Sequence, residues 1–377
     1  MIMIELLKQL IEIPSYSREE GAVADFLELW MKDHGLDVHR KHNNLWVESQ
    51  GSREQGSGSR VLLNAHIDTV RPSQSWTRDP HRATQEGDRI YGLGSNDDGG
   101  SLVAMLAAFM QLTQLSQHSS LQLHFNSTST PLQLPFNIIL ALTAEEEVSG
   151  ERGIQTLWDE IGPVDYALVG EPTGMRAATS ERGLLVLDGV ATGVSGHAAR
   201  NEGVNALYKA MQDIEALRQH RFERVSPTMG EVRLNVTQIN AGTAHNVIPD
   251  RCEFVVDIRP TEQYTNEEIL HDLQQECQST LTARNLRNRS SATPQDSLLL
   301  QVVKDLDIET FSSPTTSNWM RLPATCDAIK IGPGDSARSH HADEYITISE
   351  IEGAIEGYIN IIRGVERELG VGRLRRS

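Results

Sequence analysis

Cysteine is scarce in this chain. Cys252, Cys277 and Cys326 are scattered, with no C-x-x-C pair among them. An odd, sparse set excludes a disulfide framework and points to a reducing compartment. Positive charge is short as well. Against 52 Asp and Glu stand 34 Lys and Arg, a formal net charge of -18, which makes nucleic acid and anionic membrane poor partners. No apolar run approaches the roughly 20 residues that span a bilayer. The opening MIMIELLKQLIEI lacks a basic n-region and a small-residue cleavage site, so it is not read as a signal peptide. The expected location is the cytoplasm, with neither a membrane nor a nucleic-acid partner. Internal repeats are absent. What the chain does have is 377 residues, 38% of them hydrophobic, enough for a sizeable core in two domains or in one domain carrying a large insertion.

Apolar spacing locates the elements. Leu6, Leu7, Leu10 and Ile11 share a helical face that Pro14 ends. Ser17-Arg-Glu-Glu20 has the form of a capping box ahead of Val23, Phe26, Leu27 and Trp30. Short strands are expected at 36–38 and 45–47, and a turn or flexible loop at 51–59. Residues 61–70, VLLNAHIDTV, begin as a buried strand; 102–112 read as a helix, 136–143 and 166–169 as further strands. The Gln-, Ser- and Thr-rich segment 113–135 has no period and is read as a surface insertion. Helices between strands give β-α-β units and a largely parallel sheet.

From about Ser180 the pattern changes. A strand at 184–190 precedes a helix lined by Leu207, Ala210, Met211, Ile214 and Leu217. Strands at 232–236 and 254–258 follow, then a helix lined by Ile269, Leu270, Leu273 and Cys277. A helix at 295–307, a strand at 326–331 and a long amphipathic helix at 351–365 close the chain. The expected fold is α/β: a catalytic domain of residues 1–179 and 291–377, with helices on both faces of its sheet. An α+β domain of β-α-β-β-α order, residues 180–290, interrupts it.

Polar residues gather at the expected C-terminal ends of strands, where open α/β sheets place their ligand sites. His66 and Asp68 end the first strand and, two apart, leave it on the same side. His-x-Asp supplies a metal ligand and a carboxylate to orient it; the alternative is a core histidine satisfied by its neighbour. Asp97 and Asp98 sit in the glycine-flanked YGLGSNDDGG. Glu145, Glu146 and Glu147 follow ILALT, Glu171 follows ALVG, and His340 and His341 follow AIKIG and its loop. Two or three imidazoles with several carboxylates suit zinc or a similar borderline metal and are too rich in nitrogen for calcium. The ligands suffice for two ions sharing a carboxylate, an arrangement that activates water and polarises a carbonyl.

HIDTV, YGLGSNDDGG, TAEEEVSG, VGEPT, GVSGHAA and SHHADEY occur in this order along nearly the whole chain. The ordered set resembles the di-zinc amidohydrolase and exopeptidase family that includes acetylornithine deacetylase, succinyl-diaminopimelate desuccinylase and glutamate carboxypeptidase. VGEPT, with GPG before SHHADEY, is most similar to the acetylornithine deacetylase branch. The resemblance implies two zinc ions, with cobalt and manganese as alternatives. His66 and Glu171 would complete one ion and Glu147 and His340 the other. Asp97 would bridge them, in a cis Asp97–Asp98 peptide. Asp68 would orient His66, and Glu146 would be the general base. The triple Glu is aligned so that Glu145 takes the place of the family's Asp, either behind the ligands or solvated. The family pattern puts the ligand four residues before Glu344, hence at His340, with His341 outside. Gly99 departs from the many relatives that have Lys there, which puts close equivalence with the peptidase branches in doubt.

In the inserted domain the resemblance implies that His197 stabilises the oxyanion, its alternative being the cap of a turn. Asn246 and Arg259 would bind substrate, with a surface salt bridge as the alternative for Arg259. The expected activity is hydrolysis of an N-acyl amino acid in arginine biosynthesis. The substrate would be N-acetylornithine, N-acetylcitrulline or an N-succinyl analogue, and dipeptidase or carboxypeptidase action at the same site is the alternative. The expected assembly is a homodimer joined through the inserted domain. A non-catalytic metal-binding protein on this fold would lack the base, and Glu146 is present.

Overall fold

The computed structural model describes residues 2–49, 58–113, 136–200 and 202–374. The segment 114–135 and residues 51–57 of the glycine-serine loop, for which an insertion and a flexible turn were expected, lie outside the described residues. The chain forms two compact units, one of residues 1–179, 293–311 and 317–377, the other of residues 180–292 and 312–316.

The first unit is built on a mixed sheet with a parallel centre. Asn137–Thr143, Arg60–His66, Tyr166–Val169 and Asp327–Lys330 lie side by side and parallel, in that order. Asn44–Glu48 and then His39–Lys41 extend one edge antiparallel, and Ala177–Glu181 pairs antiparallel with the other. Parallel strands covered on both faces have no solvent side, so they read as continuous apolar runs. Val61, Leu62, Leu63 and Ala65 are all buried, as are Ile138 to Leu142.

The helices Ile2–Ile11, Gly21–Asp33, Gly100–Leu112, Leu298–Asp305 and Ile348–Leu374 cover one face. Gly100–Leu112 is buried almost all round, which is why its sequence has no polar stripe. The short helical turns Ile154–Leu157, Trp158–Ile161 and Asn318–Arg321 cover the other face, packing on Leu62, Ile139, Ala141, Ala167 and Ala328.

The second unit is a four-stranded antiparallel sheet in the order Arg233–Ala241, Arg251–Arg259, Leu185–Thr192, Thr280–Ala283. Ala206–Gln219 and Asn266–Glu276 pack on one face, against Leu185, Leu187, Phe254, Val256 and Ile258. The last strand extends the expected β-α-β-β-α order to β-α-β-β-α-β. The second helix opens with a capping box in which Thr265 and Glu268 satisfy each other's amides.

Three local expectations are corrected. Ser17 does not cap the helix Gly21–Asp33. Glu20 precedes that helix without a side-chain cap, because its carboxylate accepts from the Arg18 amide and from Asn43. Leu36 and Val38 are buried but not in a strand; the strand starts at His39. Met211 faces outward, 54% exposed, so it does not line the buried side of its helix.

Candidate active site

The parallel strands of the first unit deliver the chemistry at their C-terminal ends. Arg60–His66 ends on His66. Asn137–Thr143 leads into Glu145–Glu147, Tyr166–Val169 into Glu171, and Asp327–Lys330 into the loop that carries His340. Asp97 arrives on a tight turn. Gly94 opens it at φ +74°, and a Cβ there would meet Thr69 Cγ2 at 2.6 Å, so the turn requires glycine. The Asp97–Asp98 peptide is cis.

Asp97 stands between two imidazoles. His66 Nε2 is 3.1 Å from Asp97 Oδ1, and His340 Nε2 is 3.8 Å from Asp97 Oδ2. His340 Nε2 also lies 3.0 and 2.9 Å from the two oxygens of Glu147. The possible ligand atoms of His66, Asp97 and Glu147 fall within 4.8 Å of one another, and so do those of His66, Glu146 and Glu171. Each group has a composition and spacing that could hold a divalent ion; His66 can serve only one ion, through Nε2, so a second ion would draw on His340, which lies against Glu147.

Electrostatics point the same way. Burial pushes Glu146 and Glu171 well above the usual carboxylate range, and neighbouring carboxylates add to it. Burial and Asp97 also raise Glu147. Burial presses the His66 imidazole down, but hydrogen bonds to Asp68 and Asp97 carry it well above its ordinary value. The Glu147 hydrogen bond lifts His340 to about 9. Burial would raise Asp97; the bond from His66 and the charges of His66 and His340 outweigh it and leave Asp97 lowered. Crowded carboxylates held largely out of water in this way call for compensating cations.

Asp68 does something the sequence did not suggest. His66 Nδ1 lies 2.8 Å from the Asp68 main-chain oxygen and 3.5 Å from its carboxylate, so the backbone is the nearer orienting partner. The carboxylate accepts from the amides of Glu146 and Glu147, at 3.0 and 3.1 Å, and from Ser17 Oγ at 2.7 Å. It thereby pins the turn that presents both glutamates.

Glu344 clamps the Asp97 turn. Its carboxylate accepts from the amides of Gly94, Asn96 and Asp97, and burial pushes it up to about 8 against the pull of those donors. Behind His66, the buried side chains of Asn64, Thr143 and Asn318 form a hydrogen-bonded row.

Glu145 is buried and turned away from the donor groups, accepting from the Arg152 amide at 3.1 Å. The solvated-loop alternative for it therefore does not hold. His341 is exposed, its amide donates to Arg338 O, and its ring enters neither donor group.

The remaining candidates lie in the second unit. Gly196–His197 pairs with Val247–Ile248 in a two-residue ladder, and the Ala198 amide donates to Asn246 O, which brings His197 and Asn246 to one place. His197 Nδ1 accepts from the Ala199 amide at 3.1 Å, as a turn cap does. A ring nitrogen that accepts carries no proton, so Nε2 holds the hydrogen and is a donor. Arg259 is engaged within its own strand: Nε and Nη2 donate to Asp257 at 2.8 and 3.1 Å. The salt bridge named as the alternative for Arg259 is thus formed, and it occupies two of the guanidinium's donors.

A largely parallel sheet whose strand ends gather imidazoles and carboxylates is the scaffold of a metal-dependent hydrolase, and that is the class of this enzyme. Residues 179–284 match a family model described as a peptidase dimerisation domain. Acetylornithine deacetylase of Yersinia pestis is 28% identical, over 93% of this chain and 94% of the relative. Succinyl-diaminopimelate desuccinylase 2 of Ruegeria sp. is 24% identical, over 96% and 94%. The fold matches the Bacillus subtilis YXEP protein, a dinuclear metal-binding peptidase from the M20 family. The TM-score is 0.70 at 14% identity, with 96% of each chain covered. Its fold is that of this M20-family structure, and its sequence is similar to the two deacylases along more than nine-tenths of their length.

Proposed function

We propose that this enzyme removes the acyl group from an N-acyl-L-amino acid by hydrolysis of its amide bond. The favoured substrate is N-acetylornithine or its relatives N-acetylcitrulline and the N-succinyl analogue, in arginine biosynthesis. The observation that carries the reading is the gathering of His66, Asp97, Glu147, Glu171 and His340 at the strand ends, with Glu146 half-buried among them. Relatives named for deacylation along more than nine-tenths of the chain support the choice of substrate class.

In this reading His66 and Glu171 would hold one ion and Glu147 and His340 the other, with Asp97 available to both. Zinc suits a set of two imidazoles and carboxylates, with cobalt and manganese as alternatives. Such a pair supplies a water of lowered pKa and a polarised amide carbonyl. Glu146, raised by burial and held by its amide on Asp68, takes the proton of the attacking water and passes it to the leaving amine nitrogen. His197 donates from Nε2 to the carbonyl oxygen as charge develops there. Arg259, exchanging Asp257 for the substrate, would grip the α-carboxylate, and Asn246, which lies by His197, would contact the substrate there.

His197 belongs to the other compact unit from the metal ligands. We assign that unit, residues 180–290, to dimerisation. The exposed apolar side chains of Tyr208, Met211 and Ile239 and the free edge of Arg233–Ala241 are surfaces a C₂ partner would cover. His197 would then serve the partner's site. Three free cysteines fit a reducing cytoplasm. Among the described residues no helix is long and apolar enough to cross a membrane.

The test is a panel of N-acyl amino acids and dipeptides, run on chelator-treated protein with zinc, cobalt or manganese restored. Fastest turnover of an N-acyl ornithine or citrulline with zinc is expected. Preference for dipeptides would make it a peptidase, the class to which the Bacillus subtilis YXEP protein is assigned. No hydrolysis despite bound metal would make it a binding protein.

A further inference from the structure

Among the described residues of the first unit, Lys330 is the only lysine or arginine that is fully buried, at 1% exposure. It ends the strand Asp327–Lys330, where a burial run of Ala328, Ile329 and Ile331 leads one to expect another apolar residue. Its register partner on the adjacent parallel strand is Val169, which in turn pairs with Asn64. Side chains two apart share a face, so Lys330 lies on the Ala328 face, the one that also carries Val169 and Leu62. Leu62, Asn64 and His66 alternate onto that same face of their strand.

Beyond the strands the two segments stay together. Ile331 N donates to Val169 O at 2.8 Å, and the Gly332 Cα packs so tightly on Glu171 that a Cβ there would meet its main-chain oxygen at 2.6 Å. Lys330 is therefore one strand over and two residues below Glu171, underneath the His66–Glu171 half of the site. The charge of Lys330 acts on Glu171, opposing burial, Asp97 and Glu146. On Glu147 the leading influences are instead burial, Asp97, His340 and His66.

We propose that Lys330 is a positioning residue that makes the two metal positions unequal: its buried ammonium offsets the charge of Glu171, so the ion on the His66–Glu171 side is held more weakly and draws electrons more strongly than its neighbour. The inference rests on the ligand assignment proposed above. Its sign follows from Coulomb's law. An ammonium and a divalent ion repel, and in a low-dielectric interior that repulsion is little screened. A charge behind a ligand also reduces what the ligand donates, and outer groups of this kind shift metal affinity or activity by roughly 10–100-fold.

The experiment compares parent, Lys330→Met and Lys330→Arg as full chains, stripped of metal and titrated with Zn2+ against a competing chelator. The parent is expected to bind two Zn2+ in separate steps. In Lys330→Met the weaker step should tighten by about tenfold and the stronger stay put, while kcat on N-acetylornithine falls by about tenfold at unchanged KM. Lys330→Arg, which keeps the charge, should restore the parental gap. Unchanged Zn2+ steps in Lys330→Met, or a weaker step that loosens, overturn the proposal.

Melting of the metal-free proteins separates charge from packing. Lys330 stands among carboxylates, so Lys330→Met should lower the melting temperature of the metal-free chain and Lys330→Arg should lower it less. A fall in melting temperature without a change in the Zn2+ steps means a merely structural role and also overturns it. Should Lys330→Met not fold, Lys330→Gln takes its place with the same expectations. Glu171→Gln tests the assignment underneath: if it keeps both Zn2+ steps, the ligand reading itself fails and the inference goes with it.

Discussion

Asp68→Asn is the substitution that most directly tests how the site is held. The Asp68 side chain is fully buried and accepts from the Glu146 amide, the Glu147 amide and Ser17 Oγ. Asparagine keeps the shape but replaces one oxygen with an amino group. Ser17 can turn its hydroxyl to accept, but one of the two glutamate amides must then face another donor. A buried amide left without an acceptor costs about 1–3 kcal/mol, so Asp68→Asn should destabilise the metal-free chain by that amount. Asp68→Ala, which orphans both amides, should cost roughly twice as much, ~2–6 kcal/mol. His66 keeps its main-chain partner in either variant, 2.8 Å from Nδ1, so Zn2+ should still bind to Asp68→Asn. What moves is the turn that presents Glu146. Misplacing a catalytic group by an ångström costs up to ~10²-fold, and kcat should fall on that scale with KM little changed. Urea unfolding of stripped protein, metal content and steady-state kinetics measure the three quantities. An Asp68→Asn variant with parental stability and parental kcat would refute the claim that this carboxylate pins the turn. Loss of Zn2+ as the leading defect would mean that it works mainly through His66.

The parts of this site that were legible in the sequence share a physical cause. Buried parallel strands must be apolar, so a polar residue where the run ends stands out. His66, Glu146, Glu147 and Glu171 each follow such a run. The parts that were not legible depend on backbone amides. Nothing in the letters of DEY says that Glu344 will collect three N–H donors from residues 94–97, some 250 positions away. The same holds for the hold of Asp68 on the Glu146–Glu147 turn. Ser17 misled for a related reason. Its pattern fits a capping box, but tertiary partners claimed both ends: Asp68 took the hydroxyl, and Arg18 and Asn43 took Glu20. Leu36 and Val38 show that burial alone does not make a strand. The strand Thr280–Ala283 is four residues long with one buried position, too short to show a period. For Arg259 the salt bridge named as the alternative is the one that forms, and its partner was readable. Asp257 and Arg259 are two apart in a strand, which puts opposite charges side by side on one face.

The glutamates differ in what they should lose. Glu146→Gln should keep the metal and the fold yet lose ~10²–10⁴-fold or more in turnover, whereas Glu147→Gln should lose metal. Glu145→Gln should affect stability and not chemistry, since that carboxylate serves the Arg152 amide; if it abolishes turnover with metal retained, the glutamates are assigned one position out of register. His340 predicts a proton balance. Its folded value, raised to about 9, means that its protonated form stabilises the metal-free chain. That stability is complete below the unfolded value and is lost as pH rises through about 9. A metal ligand must be neutral, so Zn2+ uptake at pH 7.5 should release a proton from His340, and the release should vanish above about 9. Calorimetry in buffers of different ionisation enthalpy measures it; His340→Ala should abolish that proton and lower metal content, and His341→Ala should change neither. The last prediction is for assembly. If His197 serves the partner's site, His197→Ala and Glu146→Gln are each inactive alone, because every site lacks one of the two. Dissociated and reassociated together, they form mixed dimers in which one site has both residues and the other has neither. With random exchange half of the dimers are mixed, and each has one working site of two, so activity should return to about a quarter of the parent's. If labelled subunits prove the exchange and the mixture stays as inactive as its components, His197 acts within its own chain or takes no part. A chain that sediments as a monomer while turning over substrate would remove the shared site altogether.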